Sequence, residues 1–292
     1  MNTLPALPSS VTTLLNHESA RLNRLFPDLP YSPDQCGTCH GRKRFLWWDR
    51  YVPGADPQHP QVIEYECPCI DQWVLQRWLT IRGVNAVYQR LGWADAVAVS
   101  EQTLEIVVDY IDKAEQFMGA GLGFVLHGSK GSGKTMLAAL MLKALMARGY
   151  DGYFSTFAEA LQMFRSGWTD PEDRNWYAAK VRGSKTLVLD DVGREHFQQR
   201  IEDGKRTRNA TSVAESTLDE LLRHRVSAAK PTFLTTNFDL TEIGQHYGDN
   251  VFSLITERAI VCEFVAADWR TAARDRAVEE ARQGLTRPVV LA

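Results

Sequence analysis

The segment GSKGSGKT, from Gly128 to Thr135, holds the residues most suited to chemistry. It fits the pattern GxxxxGK[ST], in which glycines let main-chain N–H groups wrap around phosphates. Lys134 would reach the β and γ phosphates, and the hydroxyl of Thr135 would bind Mg²⁺. The segment therefore predicts a site for ATP or ADP with Mg²⁺. Its residues are Gly128, Ser129, Lys130, Gly131, Ser132, Gly133, Lys134 and Thr135.

Two aspartates end an apolar run, LVLDDVG, which spans residues 187–193. A buried strand with this pattern would bring Asp190 to the carboxyl edge of a parallel sheet, beside the phosphate loop. We expect Asp190 to hold Mg²⁺ and Asp191 to act as the base that activates the attacking water. Glu195 is a weaker candidate for the same role. The pair predicts an ATPase.

Asn237 ends another apolar run, PTFLTTN. Its amide could contact the γ-phosphate or orient the water, whereas asparagine also commonly forms turns. We favour the catalytic role, because the ends of three strands would converge on one site.

Strand and helix patterns alternate from Gly123 onward. The apolar runs GFVLH, GYFST, KTLVLDDVG, PTFLTTN and AIVCEFV are separated by helical patterns. This alternation predicts βαβ units, and so an α/β fold with a five-stranded parallel sheet.

Four of the five cysteines lie close together, in a CxxC pair and a CxC pair separated by 27 residues. Four thiolates suit tetrahedral zinc, so we expect structural Zn²⁺ at Cys36, Cys39, Cys67 and Cys69. The CxC pair is tighter than usual, which leaves His40 and His59 as alternative ligands. CxxCH also matches a haem-attachment motif, but the second cysteine pair argues against it. Cys262 is expected in the core.

Two groups of basic residues could contact single-stranded DNA. The first alternates with Trp47 and Trp48, although these rings would equally form the small core of the zinc module, which we favour. The second lies in the polar run of residues 194–213, expected to be a loop, where a solvated surface is the alternative. The basic residues are Arg42, Lys43, Arg44 and Arg50 in the first group, and Lys205, Arg206 and Arg208 in the second.

The bulk composition adds little specificity. The 292 residues carry a net charge of −3, so no global basic field attracts nucleic acid. The sequence shows no signal peptide and no run of about 18 apolar residues. We therefore expect a cytoplasmic protein that does not contact a membrane.

Taken together, the motifs resemble those of the AAA+ ATPases of the DnaC/DnaI helicase-loader and IstB group. The matching features are GSKGSGKT, LVLDDVGRE, the helix STLDELLRHRV, PTFLTTN, the segment of residues 238–270, and GVNAVYQRL upstream. The resemblance implies an AAA+ core with strand order 5-1-4-3-2. It also implies ATP hydrolysis coupled to a nucleic-acid task and side-by-side self-association. Some loaders of this group carry an N-terminal zinc module.

The resemblance fails at one position. The group carries an arginine in a pattern like GERVxSRL that completes the ATP site of the neighbouring subunit. Here the stretch is GDNVFSLI, and Leu254 stands in place of that arginine. Arg258, four residues on and on the same helical face, is the substitute we name. Only about 25 residues follow the last strand, so we name no arginine from a lid.

We predict a partner-binding region at residues 1–82, with a zinc module at about 31–70, and an AAA+ ATPase domain at 83–292 without a full lid domain. The expected function is an ATP-dependent helicase loader for DNA replication that binds the replicative helicase and single-stranded DNA. An IstB-like transposition helper and a nucleotide-gated adaptor with weak hydrolysis are the alternatives.

Overall fold

A computed structural model describes residues 44–49, 61–66, 69–194, 208–265, 268–283 and 287–291. The described residues fall into two compact units. The smaller unit contains an antiparallel hairpin of β1 (Arg44–Asp49) and β2 (Gln61–Glu66), helix α1 (Cys69–Ile81) and Pro288–Val290. In it, the Gln72 amide donates to the carbonyl oxygen of Val289 (3.1 Å) and accepts from its N–H (2.7 Å).

The larger unit, Arg82–Arg287 with Leu291, alternates helices and strands. Its strands are β3 (Gly123–Gly128), β4 (Gly152–Thr156), β5 (Thr186–Val192), β6 (Thr232–Thr236) and β7 (Ala259–Phe264). Its helices are α2 (Ala86–Gln89), α3 (Glu101–Asp112), α4 (Ala114–Gly119), α5 (Lys134–Ala147), α6 (Phe157–Ser166), α7 (Pro171–Trp176), α8 (Arg208–Ser227), α9 (Leu240–Arg258) and α10 (Arg270–Arg282). A π-helical turn, Tyr177–Arg182, follows α7.

The five strands form one parallel sheet in the order β4-β5-β6-β3-β7. Numbered from one to five along the chain, they read 2-3-4-1-5, which from the opposite edge of the sheet reads 5-1-4-3-2. The predicted five-stranded parallel sheet is confirmed. Because all strands run the same way, their carboxyl ends meet at one edge, where ligands of such sheets bind.

The core explains why these segments form these elements. Strand β3 is buried along its apolar length, and α5 is buried on nearly every face, as expected for a helix that is largely apolar all round. Tyr110 of α3 packs edge-to-face on Phe124 of β3 (ring centroids 4.9 Å apart), which packs in turn on Phe233 of β6 (5.4 Å). These ring contacts join α3 to two neighbouring strands of the sheet.

Arg225 of α8 is fully buried and binds main-chain carbonyls. Its guanidinium donates to the carbonyl oxygens of Val181 (3.1 Å), Ser184 (3.1 Å) and Pro231 (2.7 Å). Burial lowers the pKa of Arg225 to about 9. The side chain thus joins the π-helical turn to the start of β6.

We expect Arg225→Met to lower the free energy of unfolding by about 3 kcal/mol or more, because it leaves several buried carbonyls without a donor. Urea denaturation measures the change. The control is Arg223→Met, since Arg223 is exposed and pairs only at the surface with Asp219 (2.8 Å). Equal unfolding midpoints for the two variants would contradict the role of Arg225.

One boundary differs from the sequence prediction. Helix α8 begins at Arg208, so this residue lies in a helix and not in the expected loop. No glycine or proline follows Gly204 in that run, and nothing stops the amphipathic helix from extending by one turn. Glu195, Lys205 and Arg206 lie outside the described residues. Of the described helices, none is long and apolar enough to cross a membrane.

Candidate functional site

The loop between β3 and α5 is held close to the chain that follows β7. The N–H of Ser129 donates to the carbonyl of Phe264 (3.1 Å), and the N–H of Trp269 donates to the carbonyl of Gly131 (3.1 Å). Gly131 has φ +74°, and a Cβ there would collide with the Asp268 carboxylate at 1.9 Å. Only glycine fits this position without displacing Asp268.

Lys134 lies inside this loop. Its ammonium donates to the carbonyls of Gly128 (3.1 Å) and Ser129 (2.7 Å) and to Oδ1 of Asn237 (3.1 Å). Burial lowers the pKa of Lys134, and the charges of Asp191 and Asp190 partly oppose this shift. The structure therefore brings Lys134 and Asn237 together, as the sequence predicts.

Asp190 is buried, with 4% of its surface exposed, and accepts a hydrogen bond from Oγ1 of Thr235 (2.5 Å). Burial raises the pKa of Asp190 to about 6, against hydrogen bonds from Thr235 and Thr135 that lower it. Asp190 thus lies beside Thr135, the predicted second ligand of Mg²⁺.

Asp191 has a left-handed backbone, with φ 57°, which is uncommon outside glycine and typical of functional sites. Its N–H donates to Oγ1 of Thr235 (3.0 Å), and its carboxylate accepts from Arg194 (3.1 Å). Thr235, the first threonine of TTN, therefore fixes both aspartates. Thr235 was not among the site residues predicted from the sequence.

These oxygen donors fit Mg²⁺. Thr135 and Asp190 offer a hydroxyl and a carboxylate, the hard ligands that Mg²⁺ takes. A cation there would also relieve the unfavourable burial of the Asp190 charge. Bound in this place, Mg²⁺ supplies electrostatic stabilisation of phosphate oxygens.

We expect Mg²⁺-dependent nucleotide binding to weaken in acid, because Asp190 attracts a cation only when ionised. With its pKa raised to about 6, the ionised fraction falls as the solution is acidified below that value. The Mg²⁺ concentration for half-maximal binding should rise about tenfold per pH unit there.

The effect of pH on the stability of the fold is opposite to its effect on Mg²⁺-dependent nucleotide binding. A carboxyl with a raised pKa stabilises the fold fully below its unfolded pKa of 3.8, and this contribution is lost as the pH rises through about 6.

Titration of a fluorescent nucleotide with Mg²⁺ at several pH values tests the binding prediction. Asp190→Asn should retain only the pH dependence of the nucleotide itself, and an unchanged profile in that variant would contradict the assignment.

A cavity of about 540 Å³ opens beside the loop, a volume that suits a nucleotide. The phosphate loop and the strand ends form one side. The second side is the segment of residues 87–98, and the third is α10 with Arg287. The residues that line it include Val87, Tyr88, Arg90, Leu91, Asp95, Val97, Gly131, Ser132, Gly133, Lys134, Thr135, Asp191, Asn237, Trp269, Arg270, Ala273, Arg276, Glu280 and Arg287.

Arg270 is the main site residue that the sequence analysis missed. It begins α10, its N–H is bound by the Asp268 carboxylate (3.0 Å), and its charge lowers the pKa of Lys134. The sequence signal that could have identified it is DWR, which ends the matching segment of residues 238–270. One helix suffices to bring an arginine to the cavity.

Ion pairs connect α10 to the segment before α3. Asp95 accepts from Arg276 (2.9 Å) and Arg287 (2.7 Å), and Arg287 also pairs with Glu280 (2.6 Å). These contacts hold the second and third sides of the cavity together.

Arg258 and Leu254 lie away from this cavity. Arg258 ends α9 and pairs with the adjacent Glu257 (3.0 Å), while Leu254 is half-buried against the core. Arg258 is therefore not part of the site of its own chain, and its action on a neighbouring chain stays a prediction.

The zinc prediction falls largely outside the described residues, which exclude Cys36, Cys39 and Cys67; Cys69 begins α1. Among the described residues, no group of three or more His, Cys, Asp or Glu is placed to hold a metal ion. Cys262 is buried on β7, as expected, and burial raises its pKa.

No protein-family model matches the chain. Among curated proteins, it is 26% identical over 195 residues to the replicative helicase loader DnaI of Bacillus subtilis, covering 63% of this chain and 57% of that protein. It is 21% identical over 181 residues to the replicative helicase loader DnaC of Escherichia coli K12, covering 61% of this chain and 67% of that protein.

A third relative is not described as a helicase loader. A Mycobacterium tuberculosis protein, named as ATP-binding and in an insertion sequence, is 32% identical over 127 residues, which cover 42% of this chain and 44% of that protein. The chain thus spans only about half the length of two of these relatives.

A solved structure shows the likeness of fold. The crystal structure of the DnaC helicase loader matches with a TM-score of 0.50 and 22% identity, over 62% of this chain and all of that one. The fold and site define an α/β protein whose loop at Gly128–Thr135 fits the GxxxxGK[ST] pattern. In sequence it is similar to replicative helicase loaders and to an ATP-binding protein of an insertion sequence.

Proposed function

We propose that this protein is an ATPase that loads a replicative DNA helicase. The observation that carries the proposal is the similarity to DnaI over 195 residues, 63% of the chain. The similarity to DnaC, under the same description of replicative helicase loader, supports it. The partners we propose are a replicative helicase, single-stranded DNA and further copies of this chain.

ATP is bound in the cavity with its phosphates against the loop at Gly128–Thr135. Lys134 neutralises the β and γ phosphates, since its ammonium already lies within that loop. Asp191 accepts a proton from the attacking water, and Asn237 orients that water beside Lys134. Arg258 acts on the ATP of a neighbouring chain. A structural zinc at Cys36, Cys39, Cys67 and Cys69 completes the proposal.

Helicase capture tests this function. The full chain, immobilised with MgATP, should retain the hexameric replicative helicase of its own host. The variant Lys134→Ala should retain less helicase, because it binds ATP more weakly. Failure of the wild-type protein to retain the helicase, with and without nucleotide, would overturn the loader assignment.

A transposition helper is the second candidate, and the insertion-sequence relative favours it. That protein shares the highest identity of the three, 32%, although over a shorter stretch. The same capture experiment with a transposase and duplex DNA distinguishes the two candidates. Retention of the transposase alone would favour the helper.

A nucleotide-gated adaptor is the third candidate. It is favoured by Leu254, which packs on the core where an arginine would complete the ATP site of the neighbouring chain. An adaptor would bind ATP and turn it over very slowly, even at protein concentrations at which it self-associates.

A further inference from the structure

Lys143 is a buried cation that the proposed chemistry does not use. It lies in the middle of α5, and none of its surface is exposed. Burial lowers its pKa to about 8. A lysine is rarely placed so deeply unless its ammonium has partners that offset the loss of water.

Its partners are two main-chain carbonyls of the cavity wall. The ammonium donates to the carbonyl oxygens of Tyr88 (3.0 Å) and Leu91 (2.5 Å). Both residues line the nucleotide cavity, as do their neighbours Val87 and Arg90. Lys143 thus connects the core helix α5 to the segment of residues 87–91.

Other contacts also hold this wall, since the Gln89 amide donates to the carbonyl oxygen of Val84 (2.7 Å) and Arg90 donates to the carbonyl oxygen of Arg287. Helix α2 spans only Ala86–Gln89, and the turn that follows is closed by long hydrogen bonds, from Arg90 N–H to Val87 O (3.4 Å) and from Leu91 N–H to Tyr88 O (3.4 Å). Val87 is 68% exposed. The two bonds from Lys143 add a restraint that ties this weakly bonded turn to the core helix α5.

The same helix carries the phosphate-binding lysine. Lys134 is the first residue of α5, and Lys143 lies about 13 Å further along the helix axis. A nucleotide whose phosphates rest on the loop would place its ribose and base in the remainder of the cavity, which this wall lines together with α10. A single rigid element thus sets the distance between the phosphate site and the wall.

We propose that Lys143 is a positioning residue that fixes the nucleoside wall of the cavity, and so sets the affinity for ribose and base but not for phosphate. This inference rests on the proposed binding of ATP in the cavity. It predicts that loss of Lys143 lowers the affinity for ATP but not for a phosphate ligand without a nucleoside. A general loss of stability would lower both affinities together.

The test compares ATP with inorganic tripolyphosphate, which lacks the nucleoside, in calorimetric titrations with Mg²⁺. Lys143→Met keeps the length of the side chain and removes the donor. It should weaken ATP about tenfold and leave tripolyphosphate within about twofold. The matched control is Tyr110→Phe, which removes another buried bond to a carbonyl, Leu122 O (2.6 Å), away from the cavity. It should leave the ratio of the two affinities unchanged.

The outcomes separate the two proposals. If the wild-type protein binds neither ligand, ATP binding itself is refuted. If it binds both and Lys143→Met leaves their ratio as in wild type, only the role of Lys143 is overturned.

A measurement on the wild-type protein tests the inference even where Lys143→Met fails to fold. ATP should slow amide hydrogen exchange in residues 86–91 more than tripolyphosphate does. Equal exchange with the two ligands would overturn the inference without any variant.

Discussion

Lys134→Ala should lower the affinity for ATP by about 100-fold or more. The ammonium of Lys134 lies within hydrogen-bond distance of two carbonyls of the phosphate loop, where its charge would meet the β and γ phosphates. Charge-assisted bonds to phosphate are among the strongest that a side chain forms, and alanine keeps neither the charge nor the donors. Titration of a fluorescent ATP analogue with Mg²⁺ measures the loss.

The control for this variant is Lys113→Ala. Lys113 is an exposed lysine at the end of α3 that pairs with Asp109 (2.5 Å), outside the cavity. Its loss should leave the affinity for ATP unchanged. An affinity of Lys134→Ala within about threefold of wild type would contradict the phosphate role of Lys134.

Asp191→Asn should reduce ATP turnover by about 100-fold to 1000-fold and spare ATP binding. The variant keeps the size of the side chain and the bond from its N–H to Thr235. Asparagine also tolerates the left-handed backbone at this position. What it loses is the ability to accept a proton from water, so only the chemical step should suffer.

Single-turnover hydrolysis and nucleotide titration, performed on the same preparation, separate the two quantities. Asp112→Asn serves as the control, since Asp112 is an exposed carboxylate paired with Arg148 (2.7 Å). Turnover of Asp191→Asn equal to that of wild type would exclude Asp191 as the base. A parallel loss of binding would show that it holds the ligand instead.

The sequence predicted the sheet because its strands are short, apolar and buried. GFVLH and LVLDD can be read as strands without tertiary information, since helices separate them and polar residues end them. The site at the strand ends was predicted for the same reason. Once the sheet is parallel, Asp190, Asp191 and Asn237 must meet near Gly128.

The rest of the cavity could not be predicted in this way. Tyr88, Lys143 and Arg270 belong to three separate segments, and no local pattern says which faces of these segments meet. Lys143 interrupts an apolar helix and resembles a surface residue until its carbonyl partners are known. The start of α8 at Arg208 was missed because polar composition alone does not distinguish a loop from the first turn of a helix.

The most direct test of the account is a structure of the protein with Mg²⁺ and a non-hydrolysable ATP analogue. We expect the phosphates to contact Lys134 and the N–H groups of the loop, Thr135 and Asp190 to bind the metal, and the base to rest against residues 87–91. A nucleotide bound anywhere else, or a loop at Gly128–Thr135 that makes no contact with phosphate, would contradict it.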